Sequence, residues 1–115
     1  MAREAESELR PRVVHLDLAG MDYVPILGGP PQSASMRSGL VVLSPGKSVG
    51  KHSTGDYEEL VVVLQGRGEL QICGQGSLAM EAGAVVYCPP ETEHDVVATG
   101  AGPLRYVYVV ARAKI

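Results

Sequence analysis

Between Gly46 and Gly66 the chain carries a histidine, His52, and a carboxylate, Glu59, on either side of Gly55-Asp56. Imidazole and carboxylate hold divalent first-row metals, and imidazole exchanges protons near neutral pH. A two-residue hairpin loop at Gly55-Asp56 pairs Thr54 with Tyr57, Ser53 with Glu58 and His52 with Glu59, so that His52 and Glu59 become direct neighbours. Glu59 also opens the apolar run Leu60-Val61-Val62-Val63-Leu64. A buried carboxylate is costly unless it is protonated, hydrogen-bonded or paired with a cation. Glu59 therefore needs a companion, either a metal shared with His52 or a hydrogen bond to His52 alone.

The elements that position these residues read as strands. The run 59–64 is apolar on both faces, so that if one face lines a barrel, Leu60, Val62 and Leu64 on the other need a second sheet or a second subunit to cover them. Further strand signals fall at 39–43, at 70–72, after the turn Gly74-Gln75-Gly76, at 84–88, at 94–98 with His94, Val96 and Ala98 on one face, and at 104–110. Alternation at 13–18 puts Val14, Leu16 and Leu18 on one face and His15 with Asp17 on the other, the pattern of a half-exposed edge strand. His15 is read as solvated and is left out of the site. Residues 26–32, with Gly28-Gly29-Pro30-Pro31, read as a loop. Residues 1–12 alternate charges without a useful apolar face and read as a flexible N-terminal tail, leaving 13–115 as one barrel domain.

Composition agrees with an all-β chain. The 115 residues suffice for one domain, Trp and Phe are absent, and 14 glycines with 8 prolines punctuate short Val-rich runs. A net charge of -3 without a basic cluster argues against nucleic acid as a partner. No apolar stretch approaches a membrane span and the charged N-terminus has no signal-like region, so a cytoplasmic location is expected. Cys73 and Cys88 lack the spacing of a zinc or redox pair and are expected to be reduced and structural.

The glycine-framed halves resemble the two motifs of the cupin superfamily, in particular its small single-domain, RmlC-like members. Gly46, His52, Glu59 and Gly66 match the first motif, and Gly83, Pro89 and His94 match the second. The resemblance implies a double-stranded β-helix, a jelly-roll barrel with its site in the mouth, and usually a homodimer. It also implies a ligand set for a divalent metal ion made of His52, Glu59 and His94. Thr54 stands where the family has its second histidine, Glu91 where it has Gly and Ala98 where it has Asn. Two histidines and one carboxylate are the inventory of a facial triad, compatible with Fe(II), Mn(II), Ni(II) or Zn(II), and Thr54 is placed to hydrogen-bond a metal-bound water.

Tyr57 shares a face with Glu59 and has two readings, a catalytic proton donor or acceptor or an aromatic plug at the barrel mouth. Tyr87, Tyr106 and Tyr108 are expected in barrel or interface packing, Cys88 as a buried inert thiol, and Asp56 and Glu58 in solvent. Two functions follow. One is a metal-dependent enzyme acting on a small polar organic molecule, with oxygenase, isomerase and lyase chemistry all open. The other is a metal-free module that binds a small ligand without turnover.

Overall fold

The structure is a computed structural model that describes residues 9–113. Most of the expected N-terminal tail, residues 1–8, lies outside the described residues, as do 114–115. Nine strands follow in order: β1 (Val24–Gly28), β2 (Arg37–Leu43), β3 (His52–Ser53), β4 (Tyr57–Gln65), β5 (Arg67–Ile72), β6 (Gly76–Glu81), β7 (Val85–Cys88), β8 (Glu93–Ala98) and β9 (Leu104–Arg112). They form two antiparallel sheets, one ordered β1-β2-β9-β4-β7 and the other β3-β8-β5-β6. No helix is present among the described residues, and so none is long and apolar enough to cross a membrane.

Alternation builds the core from the facing sides of the two sheets. Val61 and Val63 of β4, Val86 of β7, and Leu104 and Tyr106 of β9 meet Leu70 of β5, Met80 of β6, and Val96 and Ala98 of β8. The turn between β4 and β5 must be Gly66: its φ is +87°, and a Cβ there would stand 2.2 Å from the Pro103 carbonyl oxygen. On the outer face Leu60, Leu64, Val85 and Tyr87 are exposed.

Several expectations are corrected. Residues 13–18 form no strand, and Val13, Val14, His15 and Leu18 are exposed; alternation without a partner strand holds nothing in place. Conversely, part of the expected loop at 26–32 belongs to β1. Pro25 is tolerated because β1 is an edge strand with a register shift between Pro25 and Leu27. Of the two places expected for Tyr87, barrel or interface, the barrel interior is excluded: it stands on the outer face and donates its hydroxyl to Glu58 at 2.8 Å, so Glu58 is not simply solvated.

The hairpin pairing of His52 with Glu59 is also absent. The turn itself forms, with the Tyr57 N–H on the Thr54 carbonyl at 3.1 Å, but the flanking strands part into different sheets. Both edges of β4 are already taken. Glu59 lies opposite Cys88 of β7 on one side and Val110 of β9 on the other, so His52 pairs instead with His94 of β8.

Candidate metal centre

The site is assembled across the gap between the sheets. His52 and His94 sit directly opposite each other on β3 and β8, with ring centroids 4.4 Å apart. Glu59 reaches them from β4 in the facing sheet and brings Oε1 to 3.1 Å from His94 Nε2. One donor atom from each of His52, Glu59 and His94 falls within 4.8 Å of the others. The three residues expected from the sequence thus converge, by a route that differs from the expected hairpin.

Each histidine is oriented by its own backbone. His52 Nδ1 lies 2.8 Å from the Gly50 carbonyl, and His94 Nδ1 lies 2.9 Å from the Thr92 carbonyl. A carbonyl can only accept, so Nδ1 carries the proton in both rings and Nε2 is the nitrogen left for a ligand, as in metal sites whose imidazoles are fixed by a backbone acceptor. His94 is buried. Its Nε2 faces the Glu59 carboxylate, and that hydrogen bond, ahead of the opposing effect of burial, holds its pKa above the ordinary value.

These residues fit a divalent ion by the chemistry of their donors. Two imidazole nitrogens and a carboxylate suit borderline first-row metals, and three protein ligands leave positions for exogenous molecules. The 3.1 Å Glu59–His94 separation is close to the ~3 Å expected of adjacent ligands each about 2.1 Å from an ion.

Thr54 departs from the expectation of a water-binding hydroxyl. Its Oγ1 donates to the Pro89 carbonyl at 2.7 Å and accepts from the Thr92 N–H at 3.0 Å. Its proton is therefore committed to the segment that leads into His94, and Thr54 secures that segment while its side chain also borders the cavity. Cys88 packs beneath, with Sγ 3.6 Å from His94 Nδ1. It is buried, and desolvation, then the Glu59 charge, pushes its thiol up to about 11, which suits the expected inert role. Cys73 is exposed, and both cysteines are free.

The ligand cluster opens into a cavity of about 640 Å³. Val41, Leu43, Val49, Val96 and Val110 line it together with Tyr23, Tyr57, Tyr106 and Tyr108. Tyr57 lies in this wall on the face of β4 that carries Glu59, with the Arg37 guanidinium 5.8 Å from its ring centroid. Sequence reading missed Tyr23, whose hydroxyl bonds that of Tyr108 at 2.7 Å and whose ring occupies the space a Cβ on Gly39 would need. Arg105 ties down the segment just before Tyr23 by donating to the Gly20 and Ala19 carbonyls, and is itself held by Gln65 at 2.7 Å.

Two sheets closed over a His-Glu-His cluster at one end define a double-stranded β-helix barrel with a candidate metal site. The Cupin domain family model matches residues 39–110, and the chain belongs to that family. It is similar to a cupin 2 conserved barrel domain protein of Salinispora arenicola, with 26% identity, a TM-score of 0.72, and coverage of 90% of this chain and 91% of that one. An RmlC-like cupin of Methanocaldococcus jannaschii with a double-stranded β-helix fold shares 19% identity at a TM-score of 0.73, covering 90% and 92% of the two chains. The cupin domain of Schizosaccharomyces pombe Cnp3 shares 18% identity at a TM-score of 0.73, covering 88% and 70%. At these identities the last two bear on the fold alone. No curated protein sequence matches the chain.

Proposed function

We propose that this cupin is a metal-dependent enzyme in which His52, Glu59 and His94 hold one divalent ion, Fe(II), Mn(II), Ni(II) or Zn(II), and act on a small organic molecule bound in the cavity. The observation that carries this reading is the orientation of the two histidines. Both have Nδ1 capped by a backbone carbonyl, which leaves Nε2 available beside the Glu59 carboxylate. When bound, the ion supplies a Lewis acid and open coordination positions. Glu59 balances its charge, and the apolar wall of the cavity limits competing water. Tyr57, on the same wall, is the candidate to move a proton at the substrate.

The 3.1 Å ion pair supports a second reading, a metal-free binding module. Glu59 and His94 Nε2 satisfy each other, so the cluster can stand without an ion. Calorimetric titration of the chelated protein with each metal separates the two. The enzyme reading expects one ion per chain, with proton release because His94 Nε2 must give up its proton to ligate. Absence of binding heat for every metal favours the module.

A homodimer is proposed as well. Leu60, Leu64, Val85 and Tyr87 are exposed together on β4 and the edge strand β7, an apolar face suited to a second copy. Sedimentation equilibrium with Leu60→Glu tests it: dissociation supports this face, and an unchanged mass contradicts it.

A further inference from the structure

Tyr106 is a buried phenol without a hydrogen-bonding role in the fold. The residue is 3% exposed and lines the cavity. It makes none of the side-chain hydrogen bonds that engage Tyr23, Tyr108 and Tyr87. Yet no fully buried polar side-chain atom among the described residues lacks a partner. The small accessible part of Tyr106 therefore includes its hydroxyl, and the residue lines the cavity.

The position of Tyr106 along the barrel is set by register. On β4 and β9 the inward rungs are Glu59 opposite Val110, Val61 opposite Tyr108 and Val63 opposite Tyr106. Each rung is two residues from the next, so the backbone of the Tyr106 rung lies about 13 Å from that of the Glu59 rung. Along this length the five-stranded sheet contributes Val110 on the Glu59 rung, Tyr108 on the middle rung and Val41 opposite Tyr106, faced by Val96 of β8. Tyr108 has its hydroxyl engaged by Tyr23. Among the described residues no Lys or Arg lines the cavity, and its charged or titratable groups other than the phenols are His52, Glu59 and His94. The Arg37 guanidinium stands over the Tyr57 ring beside this wall, but the absence of a cationic side chain from the described lining itself disfavours a phosphorylated or multiply anionic molecule there.

We propose that the substrate is a compact, largely apolar molecule with a metal-binding group and, separate from it, a hydrogen-bond acceptor that the Tyr106 hydroxyl receives. The metal-binding group rests on the proposed function; the acceptor does not. A polar group in a largely apolar stretch of wall confers selectivity because a ligand without the matching acceptor leaves the phenol unpaired once water is displaced.

A pair of near-isosteric probes tests it, 4-acetylbenzoate and 4-isopropylbenzoate, titrated calorimetrically into the metal-loaded protein and again after chelation. The acetyl compound is expected to bind about 3- to 10-fold tighter, the range of a neutral hydrogen bond, and Tyr106→Phe is expected to erase that ratio. The variant is expected to melt at the same temperature or higher, because the phenol makes no hydrogen bond among the described residues. Equal binding of the two probes to the wild type overturns the proposal, as does a ratio that survives in Tyr106→Phe or failure of both probes to bind. Chelation judges the metal reading separately. If affinity is unchanged by chelation while the acetyl preference persists, the metal assignment fails and the Tyr106 subsite stands.

Discussion

His52 and His94 face each other across the β3–β8 pair, and each donates Nδ1–H to the carbonyl two residues earlier in the chain, just before its strand begins. The same local device on opposed strands presents two equivalent Nε2 atoms to Glu59 from the other sheet. Their surroundings differ: the His52 ring is exposed, whereas His94 is buried and already paired with Glu59.

That difference separates two substitutions. His52→Ala is expected to change stability by no more than about 0.5 kcal/mol, as surface changes usually do. His94→Ala leaves Glu59 without its partner and should cost about 1–3 kcal/mol. Urea unfolding of the chelated proteins measures both, and equal losses would contradict the asymmetry.

The apoprotein should lose stability as pH rises above the ordinary histidine range. The pKa of His94 is raised above 6.5 by Glu59, so its contribution is complete below the unfolded value and is lost as pH rises through the folded one. Glu59→Gln should flatten this dependence. Denaturation midpoints measured from pH 6 to about 9 check it, and a steeper profile in the variant would contradict the pairing.

Thr54→Val keeps the shape of the side chain and removes both of its bonds to the segment 89–92. A stability loss of about 1–3 kcal/mol is expected, together with weaker metal binding because Thr92 carries the carbonyl that orients His94. Unaltered affinity in a calorimetric titration would show that the bridge does not position the ligand.

Glu91 has a φ of +53°, left-handed backbone that side chains other than Gly adopt at a cost. The related motif has Gly at this position. Glu91→Gly should stabilise the protein by about 0.5–1 kcal/mol, the relief of strain less the added entropy of the unfolded chain. A lower melting temperature in the variant would mean that contacts of the Glu91 side chain outweigh the strain.

Much of the barrel was legible because its strands announce themselves. The runs at 59–64, 94–98 and 104–110 all lie within strands, and His94, Val96 and Ala98 share the buried face that alternation assigns them. The site residues were legible through motif spacing rather than through local pairing. The expected His52–Glu59 rung fails because β4 has no free edge, a property of sheet order that a segment of sequence does not encode. Facing was equally hidden where both sides of a strand are apolar: Val41 and Tyr108 point into the cavity while Met36 and Tyr87 stand outside. Tyr23 was missed because it falls between the stretches read as strand, 13–18, and as loop, 26–32, and nothing local to it signals that β1 follows and pairs with β2.

The most direct test of the metal assignment is elemental analysis of the purified protein after incubation with Fe(II), Mn(II), Ni(II) or Zn(II) and removal of free ion, with His52→Ala in parallel. Near-stoichiometric retention of one of these metals by the wild type, lost in the variant whose fold is otherwise intact, is the predicted result. Retention of none of them, or equal retention by both proteins, would contradict the site built from His52, Glu59 and His94.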